Sequence, residues 1–411
     1  MAFMAGDYYG TGLADGSSEG TAYTSESYHT ALDIFQMSRY SESASSGTFK
    51  SIIDPALVDN DVSTTDDLRL VFSKIDISQE LFDVSHIVVG KGGYSDVVRG
   101  NLRTVRDTLM VAIKKPRALH RDPAFLKKLA GEIALWNSVI HRNILPLLGL
   151  AWIENDIPAM VSPWCQHGNI MEFLAQKRDD EHLMSVICRL LRDVLQGLGH
   201  LHHIKITHGD LKGANVLISD DGVARVGDFG MSVVLAQYPG KDASMFGTLR
   251  WTAPDLFRED SRPLTPECDI WSFGCVVLEV VSNTKPHYTI EEELKVIIAL
   301  GRNLAPARPP NFPDPVWRLC QDCFLVEPQQ RPSAGQLLES MAQLETLYDV
   351  DGHPFGDGYF ATVAWNWEIP SVKWVPAQTA PSSADTVDFP AQTAPSSADT
   401  VDFVSLLQRS V

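Results

Sequence analysis

The chain has 411 residues, of which 44% are hydrophobic and 21% are charged, an ordinary composition for a globular protein with a large core. Its net charge of −18 at pH 7 lies mainly in the flanks, with 13 acidic and 4 basic side chains in residues 1–80 and 8 acidic and 2 basic in residues 348–411. This acidity argues against general nucleic-acid binding, which needs a basic surface.

No segment of the sequence predicts membrane attachment or export. The N-terminus lacks the basic and apolar regions of a signal peptide, and Ala2 stands where N-myristoylation requires glycine. The longest apolar stretch, near Cys275 to Val281, is interrupted by Glu279 and is too short to span a bilayer. The six cysteines form no disulfide framework, so we expect reduced thiols and a cytoplasmic location.

The N-terminal region divides into two parts. Residues 1–65 are acidic and lack apolar periodicity, which predicts disorder. Residues 66–83 predict a short helical lead-in to the folded domain, because apolar side chains recur there at roughly helical spacing: Leu68, Val71, Phe72, Ile75, Leu81 and Phe82.

Three β-branched runs follow and predict strands: HIVVG at 86–90, DVVRG at 96–100 and LMVAIKK at 109–115. The polar segment NLRTVRDT between the second and third runs predicts a hairpin. Next, Asp122 and Pro123 are typical of a helix start, and a helical period follows in Phe125, Leu129, Ile133 and Trp136. From about residue 169 helical patterns prevail, so the predicted fold class is α+β, with a small β-rich lobe before a larger helical lobe.

The tail, residues 348–411, is rich in Pro, Ala, Ser and Thr and predicts disorder. The segment PAQTAPSSADTVDF at 376–389 recurs at 390–403, and this period of 14 matches no solenoid repeat. A tandem duplication in a weakly constrained tail accounts for the repeat; the alternative is a repeated docking or phosphorylation segment. The flanks are thus candidates for docking regulatory proteins. Cys320 and Cys323 lie one turn apart on a predicted helix, which favours small buried residues over metal or redox chemistry.

A glycine-rich segment, GKGGYS at 90–95, joins the first two predicted strands. Glycines let a backbone approach phosphates closely. A Rossmann turn would continue into a helix and a P-loop would end in G-K-[ST], whereas here a strand follows. The pattern favours a glycine-rich hairpin that covers a nucleotide.

Two further patterns supply charged groups. Lys114 ends the third predicted strand and Glu132 lies on the next helix, so we expect them to pair, because an unpaired buried charge is costly. In HGDLKGAN at 208–215, Asp210 and Asn215 can present a base and a magnesium ligand from one loop. Asp228 begins DFG after a strand and offers the oxygen ligand that magnesium prefers.

Together these blocks resemble the protein kinase superfamily over about residues 84–347. The glycine loop, VAIK, the helix Glu, the catalytic loop, DFG, an APE-like APD and DIWSFG occur in the family's order. GTLRWTAPD and IHRNILPLLG are most similar to the tyrosine-kinase-like group of Ser/Thr kinases, in the style of families expanded in mushroom-forming fungi. The resemblance implies a bilobal kinase fold and ATP- and Mg²⁺-dependent phosphorylation of Ser/Thr in protein substrates, in intracellular signalling.

The resemblance also implies a role for each matching residue. In the implied nucleotide site, the glycine loop with Gly90, Lys91 and Gly92 forms a lid over ATP. Val97 and Ala112 would contact the adenine from above and Leu217 from below, and Cys165 would lie in the hinge. Lys114 would bind the α/β-phosphates and pair with Glu132. Asp210 would accept the substrate proton, Lys212 would neutralise the γ-phosphate, and two residues would hold magnesium, Asn215 and Asp228.

Other positions match the family's structural residues. The resemblance implies a stack that links helix and catalytic loop in active kinases: Trp136, Leu147, His208 and Phe229. Ser162 falls at the gatekeeper position, where a small residue leaves a deeper pocket behind the adenine. Asp255 replaces the Glu of APE and is expected to pair with Arg331.

One departure concerns regulation. Gly209 replaces the Arg that in the family pairs with a phosphate on the activation loop. Either the segment 228–254 needs no phosphate at the usual site, or Arg225 or Arg250 takes the place of that Arg. Candidate phosphorylation sites in the loop are Ser232, Tyr238, Ser244 and Thr248.

Lys212 and Thr248 match the Ser/Thr pattern of the family, while RWTAPD leaves a dual-specificity or tyrosine kinase as an alternative. A pseudokinase scaffold is the other alternative. It predicts the loss of at least one of four polar residues, all of which are present: Lys114, Asp210, Asn215 and Asp228.

Overall fold

The computed structural model describes residues 62–91, 95–104, 107–117, 123–153, 157–178, 180, 182–228, 233–234, 249–257 and 264–348. The predictions for residues 1–61 and for the repeated tail lie outside these residues. Val62 is buried and Thr64 caps a helix, so the end of the segment predicted as disordered is ordered, because it joins the core.

An antiparallel sheet of six strands forms the small lobe, in the order β1-β3-β4-β6-β5, with β2 also paired to β3. The strands are β1 (Leu81–Phe82), β2 (Val88–Lys91), β3 (Ser95–Arg103), β4 (Thr108–Pro116), β5 (Gly149–Ala151) and β6 (Ala159–Pro163). One face of the sheet carries its own apolar core, which includes Val98, Leu102, Leu109, Val111 and Ile113.

The predicted strands are present as β2, β3 and β4, but the predicted hairpin between the last two is shorter than expected. β3 continues to Arg103 and β4 begins at Thr108. Leu102 is fully buried and lies opposite Leu109, so the burial of alternate residues extends the strands through a segment of polar appearance.

The predicted lead-in is helical only in its first part. Helix α1 (Thr65–Val71) starts with a capping box between Thr64 and Asp67. A 3-10 helix at Ser73–Ile75 follows it. Contrary to the prediction, residues 81–82 form strand β1, because they pair with β3 instead of continuing a helix.

Helix α2 (Pro123–Ser138) contacts α1, and its inward side contributes to the main core. Three of the four predicted apolar positions, Leu129, Ile133 and Trp136, are buried, whereas Phe125 is only partly buried and its neighbour Leu126 is buried instead. Ala130 and Ala134 complete the apolar side of the helix in the main core. The predicted N-cap, Asp122, lies outside the described residues.

The large lobe is helical, with α3 (Ile170–Ala175), α4 (Leu183–His203), α5 (Pro266–Ser282), α6 (Glu293–Gly301), α7 (Asp314–Cys323) and α8 (Ala334–Tyr348). Two small antiparallel pairs accompany the helices: β7 (Ile206–Thr207) with β10 (Val233–Val234), and β8 (Val216–Ile218) with β9 (Ala224–Val226). The α+β bilobal architecture is therefore as predicted.

Helix α5 is the centre of the large lobe. From Cys268 to Val281 every residue except Glu279 is buried, as in a helix surrounded by protein on all sides. Helix α7 contacts it, and a Cβ on Gly274 would lie 2.7 Å from the Cβ of Cys323. Cys320 and Cys323 are fully buried and free, which agrees with their prediction as small core residues. Among the described helices, none is both long enough and apolar enough to cross a membrane.

Candidate active site

A cleft of about 470 Å³, part of it open to solvent, lies between the small sheet and the large lobe. Strands β3, β4 and β6 form its upper wall, and β8 with the segment after β9 forms its floor. The cleft is lined by Val97, Ala112, Lys114, Trp136, Leu145, Ser162, Ala214, Asn215, Leu217, Gly227 and Asp228. Six of the predicted site residues therefore line one cavity, although the first and last of them enclose 132 positions of the sequence: Val97, Ala112, Lys114, Asn215, Leu217 and Asp228.

Lys114 connects the two walls of the cleft. Its Nζ lies 2.8 Å from Oε1 of Glu132 on α2 and 2.9 Å from Oδ1 of Asp228. Burial alone would lower the pKa of Lys114, but the two carboxylates raise it well above its ordinary value. Burial alone would raise the pKa of Asp228, but the ammonium of Lys114 lowers it. Lys114 and Asp228 thus stay charged at neutral pH.

The loop 208–215 brings three more polar groups together. Lys212 Nζ lies 2.8 Å from Oδ2 of Asp210. Asn215 donates from Nδ2 to the same Oδ2 at 3.0 Å and to the Asp210 carbonyl oxygen at 2.8 Å. The carboxylate of Asp210 is therefore held in one orientation by a cation and an amide.

His208 and Asp269 hold the backbone of this loop. The Gly227 carbonyl accepts from His208 Nε2 at 2.9 Å, so the proton is on Nε2 and Nδ1 can accept from the Asp210 N–H at 3.2 Å. Asp269, on α5, accepts the backbone N–H groups of His208 and Gly209, both at 2.9 Å. His202 Nε2 lies 2.8 Å from the same carboxylate. Gly209 has φ of +79°, a left-handed conformation that suits glycine.

Glu279 is a second carboxylate of α5 that contacts the loop. Its Oε2 accepts the backbone N–H of Gly213 and the indole N–H of Trp251, both at 3.0 Å. Burial raises the pKa of Glu279 to about 7, and the two hydrogen bonds and Lys212 oppose the shift. Glu279 therefore links the loop of Asp210 to the segment that ends in Asp255.

Asp255 forms the predicted buried pair with Arg331. The two side chains expose 2% and 0% of their surface, and the guanidinium also donates to the carbonyl oxygens of Leu325 and Glu267. The thiol of Cys268 lies 3.4 Å from the second carboxylate oxygen of Asp255. The shorter side chain thus keeps the pair that the sequence predicted for this position.

Asn215 and Asp228 fit a magnesium ion by the chemistry of their donors. Both line the cleft, and both carry hard oxygen atoms of the kind that Mg²⁺ prefers. No cluster of three or more His, Cys, Asp or Glu side chains suited to a metal occurs among the described residues. An ion here would need phosphate oxygens or water to complete its coordination, as Mg²⁺ in nucleotide sites does.

A family model described as protein tyrosine and serine/threonine kinase matches residues 84–341. The chain belongs to the protein kinase family. The kinase is 28% identical over 267 residues to the Raf homolog serine/threonine-protein kinase of Caenorhabditis elegans, a match that covers 62% of this chain and 32% of the relative. These similarities agree with the tyrosine-kinase-like group indicated by the motifs.

Two further relatives are mitogen-activated protein kinase kinase kinases. One, mkh1 of Cytospora mali, is 32% identical over 263 residues, covering 61% of this chain and 14% of the relative. The other, mitogen-activated protein kinase kinase kinase 5 of Homo sapiens, is 30% identical over 258 residues, covering 61% of this chain and 18% of the relative. The kinase thus spans about a third or less of the length of these relatives.

The remaining predicted nucleotide contacts lie outside the lining of the cleft or outside the described atoms. Gly90 lies in β2, which ends at Lys91; the side chain of Lys91 is not described, and Gly92 lies outside the described residues. Cys165, predicted for the hinge, follows β6 and is buried. Burial raises the pKa of Cys165 to about 12, so its thiol is uncharged at neutral pH.

Three members of the predicted stack are buried in the kinase: Trp136, Leu147 and His208. The fourth, Phe229, lies outside the described residues. Trp136 lines the cleft beside Ser162, and its indole N–H donates to the Leu145 carbonyl at 2.7 Å. Trp136 and Ser162, the predicted gatekeeper, therefore border the same cavity.

The two arginines considered as replacements for the missing loop cation differ in their surroundings. Arg250 is buried and bonded to Glu293 and to the carbonyl oxygens of Pro286, His287 and Glu291, so its guanidinium is already engaged. Arg225 is a buried residue of β9. The four candidate phosphorylation sites, residues 232, 238, 244 and 248, lie outside the described residues or have no described side chain.

Sequence reasoning gave no role to Asp269 or Glu279, although both stand in or near the quoted DIWSFG block. Both act on backbone N–H groups about sixty residues earlier in the chain. Each is a carboxylate in an otherwise apolar helical stretch, which predicts burial. Because a buried carboxylate needs hydrogen-bond donors, this pattern could have indicated that both bind another segment.

Proposed function

We propose that this kinase transfers the γ-phosphate of ATP, with Mg²⁺, to Ser or Thr hydroxyls of protein substrates in intracellular signalling. The observation that carries the proposal is two clusters of polar side chains that meet at the cleft: Lys114 with Glu132 and Asp228, and Asp210 with Lys212 and Asn215. Lys114, Asn215 and Asp228 line the cleft itself, and Asn215 bonds to Asp210. Phosphoryl transfer depends chiefly on positioning and charge stabilisation, which these groups supply.

Each residue has a proposed part in the reaction. Lys114 binds the α/β-phosphates while Glu132 orients its ammonium. Asp210 accepts the proton of the substrate hydroxyl, and Lys212 neutralises charge on the transferring phosphoryl group. Asn215 and Asp228 would hold Mg²⁺, which when bound neutralises phosphate charge. The fixed orientation of Asp210 supports its part, because a base must lie within hydrogen-bond reach of the proton that it takes.

The nucleotide contacts are also proposals. Val97 and Ala112 line the upper wall of the cleft and Leu217 its floor, which supports their contact with an adenine ring. Gly90, Lys91 and Gly92 belong to the proposed lid, and Cys165 to the hinge. A cytoplasmic location is proposed on the six buried, free thiols, which suit a reducing compartment.

The test of the proposed reaction is peptide-array phosphorylation by the wild type and by Asp210→Asn. We expect the wild type to label Ser and Thr and the variant to lose at least about a hundredfold in kcat, because the base is removed while the shape is kept. Equal labelling by both proteins would contradict the enzymatic proposal. Phosphoamino-acid identification of the product separates Ser/Thr from Tyr and thereby tests the dual-specificity alternative.

A further inference from the structure

The lead-in to the kinase domain is built into the small lobe, although the family match begins only at residue 84. Together with Val62 just before it, this segment contributes five apolar side chains that expose between 0% and 7% of their surface: Val62, Leu68, Phe72, Ile75 and Ile77. A tether that only connected the acidic region to the domain would not bury these side chains. Residues 62–78 are called the lead-in brace below.

The brace contacts the helix that carries Glu132. Helix α1 packs against α2. Leu68, Phe72 and Ile75 belong to the same continuous core as the inward side chains of α2, among them Leu129 and Ile133. The opposite side of α2 carries the exposed residues Lys127, Lys128 and Gly131.

The brace is also fixed to the sheet, at β5. The Ile77 N–H donates to the Leu150 carbonyl at 2.8 Å, and the Ser78 hydroxyl accepts the N–H of Trp152 at 2.9 Å. The guanidinium of Arg69 lies over the indole ring of Trp152 at 5.3 Å. Gly149 permits this approach, since a Cβ there would lie 2.6 Å from the carbonyl oxygen of Ile75.

The position of α2 determines whether Glu132 reaches Lys114. Glu132 precedes the buried Ile133, so a shift of the apolar side of α2 would move the carboxylate away from its 2.8 Å contact. A group that holds α2 to the sheet therefore also holds the ion pair of the cleft.

We propose that the lead-in brace is a positioning element for phosphoryl transfer, which fixes α2 against β5 so that Glu132 meets Lys114. The inference rests on the proposed kinase activity. The brace acts through α2, since its residues are absent from the lining of the cleft.

The first experiment compares Phe72→Ala with Leu70→Ala in the full chain. Phe72, the residue that follows α1, is fully buried, whereas Leu70, two residues earlier on α1, is 77% exposed and is the matched control. We expect Phe72→Ala to lower kcat/KM for peptide phosphorylation about tenfold or more, because the braced position of α2 becomes less populated. Leu70→Ala should equal the wild type, and the conservative Phe72→Leu should regain most of the activity. If Phe72→Ala does not unfold cooperatively, Leu68→Ala replaces it in every measurement.

The second experiment separates positioning from general stability. In the Glu132→Gln background, Phe72→Ala should lower kcat/KM much less than in the wild type, because both changes act on the same ion pair. The same factor in both backgrounds would overturn the inference.

Hydrogen exchange provides a readout that does not depend on activity. Phe72→Ala should raise the exchange of α2 amides and leave those of α5 protected, while Leu70→Ala changes neither. If Phe72→Ala changes neither the exchange of α2 amides nor kcat/KM, the proposed role of the brace is overturned. An inactive wild type would contradict the proposed function instead, and the exchange result would still decide whether the brace holds α2.

Discussion

Gly209 lies next to the proposed base in a backbone conformation that residues with a Cβ rarely adopt. Asp269 accepts its N–H and that of His208, which keeps the chain in this shape. The arginine that the resembling family has at this position would need the same left-handed backbone here. The glycine therefore avoids the backbone strain that a residue with a Cβ would have at this φ.

Gly209→Ala tests the strain. We expect a loss of about 1 kcal/mol in the free energy of unfolding, since a Cβ disfavours positive φ, and a lower kcat because Asp210 is adjacent. Urea denaturation and peptide phosphorylation measure the two effects. Gly222 has φ of +73° in the turn between β8 and β9, and the side chain nearest to a Cβ there, that of Arg189, is 4.0 Å away. Gly222→Ala should therefore cost similar stability without affecting kcat. A Gly209→Ala protein as stable as the wild type would exclude strain at Gly209.

The raised pKa of Glu279 makes stability depend on pH. The folded-state pKa of about 7 exceeds the ordinary 4.5, so the contribution of Glu279 is full below about pH 4.5 and is lost as pH rises through about 7. From pH 5 to pH 8 the wild type should lose at most roughly 3 kcal/mol of unfolding free energy relative to Glu279→Gln. Denaturation of both proteins across this range measures the difference. The exposed Glu339, changed to Gln, is the control, and parallel pH profiles for wild type and Glu279→Gln would contradict the prediction.

The family resemblance predicted six of the residues that line the cleft, because each matching motif brings its own strand or loop to a fixed place. It did not identify Asp269 and Glu279 as holders of the loop, because their partners are backbone N–H groups of a distant segment. Residue type shows that a buried carboxylate needs donors, but only the folded chain shows which donors it finds.

At the scale of elements, the packing of α5 on α7 depends on Gly274. A Cβ there would lie 2.7 Å from the Cβ of Cys323 and 2.8 Å from the ring of Phe324. These atoms belong to a tightly packed core with little room to shift.

Gly274→Ala should lower the free energy of unfolding by about 1–3 kcal/mol, as overpacking of a core does. Gly131→Ala is the matched control, because Gly131 is also within a helix and a Cβ there would meet nothing within 4 Å. That change should stabilise the protein by about 0.5–1 kcal/mol through helix propensity. Thermal unfolding compares the two. If Gly274→Ala and Gly131→Ala change the free energy of unfolding equally and with the same sign, the contact with Cys323 does not limit the packing.

The elements also show where periodicity misleads. In the lead-in, local spacing continued the helix to Phe82, whereas the chain leaves the helix to bond Leu150 and then pairs with β3. In β3, polar residues suggested an early turn, whereas the cross-strand contact of Leu102 with Leu109 extends the strand. Both outcomes depend on partners that are distant in sequence or lie across a turn.

At the scale of the whole molecule, the cleft is shared by two lobes, so a ligand in it should stabilise both. We expect Mg²⁺ with a non-hydrolysable ATP analogue to raise Tm by several degrees, since a ligand at a hundred times its Kd adds about 2.7 kcal/mol. EDTA should reduce the shift in the wild type. In Asp228→Asn the shift should depend less on Mg²⁺, because a proposed ligand of the ion is removed. A wild-type Tm that does not respond to the analogue would contradict nucleotide binding in this cleft.

The contact of residues 76–77 with β5 also determines where the chain can be truncated without loss of solubility. Strand β5 is the last strand of the sheet on its side, and the lead-in brace occupies its outer edge. A fragment that begins at residue 84, where the family match begins, would leave the backbone groups of that edge open and would uncover the apolar surface beneath Phe72 and Ile75. Open strand edges next to apolar surface promote association between chains. Such a fragment should aggregate on expression, whereas one that begins before Val62 should remain monodisperse.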